Sequence, residues 1–166
     1  MTDSVNHDDV PVDIWRDSPV RFLGYANELG ESFRPVAPRF VVPSYALAFA
    51  YVLGDTAHKA TRATANAPPD ASRTALGAAA ALDTLIWQTL ASVAIPGFTI
   101  NRVVALSSAV IERTAKNSPV VRRWTPTAIG LGVIPFIVHP IDRFVDALLD
   151  ETTRKWAASF SSKKGE

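Results

Sequence analysis

The sequence predicts an all-α fold: a multi-span helical membrane bundle with an amphipathic helix at each end. Three observations carry this. Of the 166 residues, 48% are hydrophobic and 20% charged, too apolar for a disordered chain. Residues 40–54, 84–101 and 125–141 form three stretches without a charged residue, separated by polar segments. Pro43, Pro96 and Pro135 lie inside those stretches, and membrane helices tolerate such breaks where neighbours satisfy the freed carbonyls.

Residues 1–13 are polar and acidic, with no apolar core for a secretory signal and no Lys or Arg before Arg16. They read as a disordered tail preceding one helical membrane domain at 14–158, with a second disordered tail at 159–166. Ser18-Pro19 is a helix start, because serine caps and a proline at the first position loses no needed hydrogen bond. Phe22, Tyr25, Ala26, Leu29 and Phe33 then recur at helical spacing, with Arg21, Asn27, Glu28 and Glu31 mostly opposite. This predicts a helix at 18–33 that needs an apolar surface to lie on.

Spanning a bilayer takes about 20 residues, with a range of roughly 17–25. On that measure spans are expected at 36–54, 74–95 and 125–138. Arg39, at the edge of the first, would reach the headgroups along its aliphatic stem. Residues 55–73, containing Pro68-Pro69-Asp70, read as a linker. Pro96-Gly97 reads as a break before a helix at 99–114, and His139-Pro140 as the opening of a last helix at 141–156. In that helix Ile141, Phe144, Val145, Leu148, Leu149, Thr152 and Trp156 form one stripe. Its polar face mixes Asp142, Asp146, Asp150 and Glu151 with Arg143, Arg154 and Lys155. A membrane-surface helix is richer in cations than this, so Phe144, Val145, Leu148 and Leu149 are expected to be buried against protein. Small residues four apart (Ala46, Ala50 and Gly54; Gly77 and Ala81; Ala128 and Gly132) suit close helix approach in lipid.

Composition excludes much chemistry. With no cysteine, a disulfide scaffold, a cysteine nucleophile and a thiolate metal site are ruled out. A net charge of +1 gives no footprint for nucleic acid. The histidines, His7, His58 and His139, are dispersed, and His58 sits in the polar linker, where solvation is expected. No phosphate-binding glycine loop or hydrolase motif occurs. No catalytic site, metal, cofactor or small-molecule substrate is expected.

The candidate structural or interaction residues lie at three places. Asp83 sits within a long apolar segment, where a charge must be paired, protonated or close to the interface. Pro96, Gly97, Asn101 and Arg102 put a polar edge beside a turn signal, and His139, Pro140, Asp142 and Arg143 do so at the start of the last helix. Arg102 and Arg143 suit lipid headgroups. Lys and Arg divide nine against eight if the N-terminus shares a side with the 102–124 loop, so charge sets no orientation.

The run from Trp15 to Arg34 (WRDSPVRFLGYANELGESFR) resembles the mitochondrial fission process protein family, also called mitochondrial 18 kDa protein. So do Trp87-Gln88, the run from Leu90 to Val103 (LASVAIPGFTINRV), Arg123-Trp124-Thr125, His139-Pro140-Ile141-Asp142-Arg143, Val145-Asp146 and Leu148-Leu149-Asp150. The similarity departs within 59–73 and in both tails. It implies an integral, multi-pass protein of the mitochondrial inner membrane that promotes organelle division, without enzymatic activity and with no transferable binding residues. The expected partners are the lipid bilayer and other inner-membrane proteins. Two alternatives stand beside it: a transport or bioenergetics modulator using Asp83, Gln88 and Asn101, and a soluble helical interaction module.

Overall fold

The computed structural model describes residues 14–114 and 118–155. The two tails and Trp156 lie outside them. Among the described residues there is no strand. The helices are α1 (Ile14–Asp17), α2 (Ala26–Ser32), α3 (Val41–Ala65), α4 (Arg73–Gln88), α5 (Ile95–Thr114) and α6 (Pro119–Leu149). A 3-10 helix, Pro19–Tyr25, leads into α2, and another, Pro38–Phe40, leads into α3. Side-chain caps open several of these: Ser18 accepts from the Val20 N–H, Ser72 from Ala75 and Ser118 from Val121.

Two expected breaks are bridged. A π-helical turn, Thr89–Ala94, joins α4 to α5, so Arg73–Thr114 is continuous through Pro96-Gly97. A π turn widens the helix by one residue, which accommodates the ring and missing N–H of a proline just downstream. Likewise α6 runs through Pro126, Pro135 and Pro140, and a second π turn, Asp150–Arg154, follows it. The helix expected at 141–156 is therefore the end of a long one. Where little water competes for carbonyls, the flanking backbone bonds hold a helix across an isolated proline. The linker expected from residue 55 starts later, because α3 continues to Ala65. The outcome is three helices long and apolar enough to cross a membrane, Pro38–Ala65, Arg73–Thr114 and Pro119–Arg154.

The N-terminal segment packs along these three. Trp15 meets Tyr51 and His58, with ring centroids 5.4 and 6.3 Å apart, and Tyr51 Oη donates to the Trp15 carbonyl at 2.6 Å. Further on, Gly30 abuts Ser44, and Tyr45 reaches Glu31. The segment thus runs antiparallel to α3. Trp15 lies at the end of the bundle where Gly54 and His58 lie, opposite to the 102–124 loop with which the sequence reading grouped it.

The packing is inverted relative to a water-soluble protein. Asn27, Glu28, Glu31, Ser32, Asp55, Gln88 and Thr127 are buried, while Phe22, Val42, Leu53, Phe98, Leu106 and Phe136 are exposed. Only 11–28% of the residues in the most apolar windows of the three long helices are buried. The N-terminal helix accordingly turns its polar face to the bundle and leaves Phe22 and Leu29 outside, the reverse of the expected arrangement. Among the described residues, buried apolar side chains gather in two clusters, one around Ala48, Tyr51, Val52 and Val93, the other joining Trp87 and Ala91 to Val145 and Leu149, with Ile100 and Val104 buried apart from them.

The stripe at the end of α6 is divided. Val145 and Leu149 are buried as expected, but Phe144 and Leu148 are 59% and 40% exposed. They sit one position earlier on the helix and are turned away from Trp87 by about 100°. His58, expected in solvent, is partly buried with no partner for Nδ1. Among the small-residue pairs, Gly77 packs on Thr64 and Gly54 on Trp15, whereas Ala46, Ala50 and Ala128 are exposed and Gly132 has no neighbour within 4 Å of a built Cβ.

Candidate functional site

The buried polar face of α2 is the centre of the molecule's polar chemistry. Glu31 gathers residues from three elements. Its carboxylate accepts from Arg34 through Nε and Nη2, each at 2.7 Å, from Asn101 Nδ2 at 2.8 Å and from Tyr45 Oη at 3.1 Å. Burial alone would raise the Glu31 carboxyl, but Arg34, Asn101 and Tyr45 together hold it below its ordinary value. One turn earlier, Asn27 Nδ2 donates to the Val93 carbonyl at 3.1 Å.

Two glycines let this face sink into the bundle. A Cβ on Gly97 would lie 2.6 Å from Tyr45 Oη and 2.9 Å from Asn27 Nδ2. A Cβ on Gly130 would lie 2.8 Å from a Val104 methyl and 2.9 Å from Ser32 Oγ. Small residues of α5 and α6 thus provide sockets for the polar side chains of α2.

Glu28 is different. It is fully buried, and neither carboxylate oxygen has a hydrogen-bond partner among the described residues. Asn27 Oδ1 and Ser32 Oγ are also unpartnered. Burial pushes the Glu28 carboxyl up to about 8, and its own backbone N–H offsets little of this.

Further polar contacts lie toward the other end. Asp55 Oδ2 accepts from Lys59 Nζ at 3.0 Å and from the Gln88 amide, and Ser92 in turn donates to Gln88. Arg154 holds Asp83 through two bonds, at 2.8 and 3.1 Å, and also Asp150 at 2.7 Å. Trp87 Nε1 donates to Asp146 at 2.9 Å, and Arg21 meets Asp142 at 3.3 Å.

The residues singled out in the sequence therefore fall in separate places. Gly97 and Asn101 join the Glu31 cluster, with Pro96 buried beside them. Asp83 is an ion-pair partner of another helix. Asp142 ties α6 to the N-terminal segment. Arg102 is exposed and donates to Asn101 Oδ1, while His139, Pro140 and Arg143 are exposed on α6. Asn27, Glu28, Glu31, Ser32 and Asp55 were not singled out from the sequence, and Gln88 only for the transport alternative. The signal for the first four was present: polar side chains share one face of a helix in a chain with three apolar spans, and in lipid that face turns inward. Among the described residues, no group of three histidine or carboxylate side chains lies together as a metal site would require. The arrangement fastens helices to one another.

A family model described as mitochondrial 18 kDa protein (MTP18) matches residues 15–80 and 71–149. The chain belongs to that family. The matched residues of the mitochondrial 18 kDa protein family include every member of the Glu31 cluster and the Asp55–Gln88 pair, while Arg154 lies just beyond them. Mitochondrial fission process protein 1 of Homo sapiens is 53% identical over 144 residues, covering 86% of this chain and 87% of the relative. The Danio rerio protein of the same name is 50% identical over 156 residues, covering 93% and 94%. A protein named R740 from Acanthamoeba polyphaga mimivirus, with no assigned role in its name, is 28% identical over 137 residues, covering 80% and 73%. No solved structure matches the chain.

Proposed function

We propose that this family member is a multi-pass protein of the mitochondrial inner membrane that promotes organelle division and maintains mitochondrial shape without enzymatic chemistry. The observation that carries the membrane reading is the inverted packing. Carboxylates and amides lie in the interior, and Val42, Leu53, Phe98 and Phe136 face outward along helices long enough to cross a bilayer. In water so many exposed large apolar side chains would favour aggregation. In lipid it is the low-energy arrangement. The fission role is supported by the names of relatives that share about half of their residues with nearly the whole chain. The inner membrane and the absence of catalysis rest on the family resemblance.

The transport alternative draws no support from the residues that motivated it. Asp83 pairs with Arg154, Gln88 with Asp55 and Asn101 with Glu31, in three separate clusters. The soluble-module alternative conflicts with the exposed apolar surface.

Alkaline carbonate extraction of mitochondria, followed by protease protection with tags at both termini, tests the membrane reading. Retention in the pellet is expected, with both tags protected in intact mitochondria and any tag on the intermembrane-space side cleaved only once the outer membrane is opened. Release into the supernatant would overturn it. Rescue of division in cells lacking the endogenous relative tests the role, and failure of a correctly inserted chain to rescue would refute it.

A further inference from the structure

One end of the bundle is an arginine-lined groove, and we propose that it binds the phosphate headgroup of an anionic phospholipid. The proposal rests on the membrane reading above. The groove has a volume of about 620 Å³ and lies where α2 ends, between α5 and α6. Arg34, Arg102, Arg122 and Arg123 line it, together with Asn101 and Ser108. Glu112 is the one carboxylate among its lining residues, and it faces Arg122 at 3.6 Å.

These four cations share a level of the bundle. Arg102 ends the uncharged stretch 84–101, and Arg122 and Arg123 precede the uncharged stretch 125–141 on the antiparallel neighbour. Arg34 ends the N-terminal segment beside them. This is the headgroup depth for helices that cross there. The opposite end differs in character: Asp55, Asp83, Asp142 and Asp146 are there, each in contact with a cation or an indole N–H.

The arginines are unequally committed. Arg34 is held by Glu31. Arg102 donates only to the neutral Asn101 amide oxygen and lies over the Phe98 ring at 5.5 Å, and Arg123 meets no carboxylate among the described residues. Planar guanidinium groups grip phosphate oxygens in pairs, and several around one groove supply the donors for a single phosphodiester. Phe98, one turn toward the membrane from Arg102, is exposed and offers an apolar flank for an acyl chain.

The full chain in neutral detergent, titrated with dioleoyl phosphatidylglycerol, dioleoyl phosphatidylcholine or inorganic phosphate and read by native mass spectrometry and thermal shift, decides this. Phosphatidylglycerol is expected to bind and raise Tm, and the other two not to. The Arg102→Gln/Arg123→Gln protein should bind phosphatidylglycerol about thirtyfold more weakly. Arg62→Gln/Arg73→Gln, which removes two charges at the other end, should bind like the parent. Arg123→Gln alone, whose side chain makes no hydrogen bond or ion pair among the described residues, should weaken binding about fivefold even if the double variant fails to fold. Unchanged binding in Arg123→Gln, an equal loss in the Arg62/Arg73 control or equal binding of phosphatidylcholine would overturn the site. Stabilisation by inorganic phosphate that displaces the lipid would overturn the lipid as its ligand. Because these readings are made in detergent, they fail independently of the carbonate extraction.

Discussion

Replacing Glu28 with glutamine should stabilise the protein by an amount that depends on pH. The carboxyl is fully buried, both oxygens lack partners, and its value is raised from 4.5 to about 8. In the unfolded chain the group ionises near its ordinary value. Between the two values folding must therefore take up a proton, which costs about 1.4 kcal/mol for each pH unit. For a group raised from 4.5 to about 8, the cost at pH 7 is about 3 kcal/mol. The sign follows: the penalty is absent below the unfolded value, grows as pH rises and levels off above the folded value. Glutamine resembles the protonated form at every pH, and any fixed cost of burying its amide does not vary with pH. The difference between parent and Glu28→Gln protein should widen by about 3 to 4 kcal/mol from about pH 5 to about pH 8 in reversible mixed-micelle unfolding. A difference that stays constant over that range, or narrows with rising pH, would refute the account of Glu28 as a neutral buried acid.

Three further outcomes follow from the packing. Glu31→Ala leaves Asn101 and Tyr45 without their acceptor while half-exposed Arg34 returns to solvent, so a loss of about 2–4 kcal/mol is expected in the same unfolding assay. Gly97→Ala drives a methyl into two hydrogen-bonded side chains and should cost about 1–3 kcal/mol, whereas Gly132→Ala, in open space, should be neutral or gain up to about 1 kcal/mol of helix propensity. Comparing their melting temperatures checks both. Val145→Asp places a charge in the Trp87 cluster and should cost several kcal/mol, about 3 or more, while Leu148→Asp on the outer face should change bundle stability in detergent by less than about 1 kcal/mol.

The helical class and the three apolar segments were legible because long uncharged runs have few other uses. The ends of those helices were not. Pro96 and Pro140 are breakers by local rule, yet the helices pass through them, one with a π turn whose extra residue leaves no mark in the sequence. Asp55 looked like the start of a linker because it is charged, and its partner Gln88 is 33 residues away. The inward face of α2 was misread through the assumption that apolar residues point to the core. Asn27, Glu28 and Glu31 carried the opposite message once the solvent was taken to be lipid. Of the selected residues, Asn101 and Gly97 were found through an unusual local string, not through Glu31, because a contact across 70 positions cannot be read from either end alone.

The helix Arg73–Thr114 is 42 residues long, and at 1.5 Å per residue it measures about 63 Å. A hydrocarbon layer is about 30 Å thick. Roughly half of this rod therefore stands clear of the layer. The π turn and Pro96 lie along its shaft, and no loop interrupts it. A push applied where α5 turns back toward α6 would be delivered, as through a lever, to the membrane-embedded part of the same rod, including the contacts it shares with α2. Insertion of two glycines near residue 108 would uncouple the last turns of α5 mechanically from the rest of the rod.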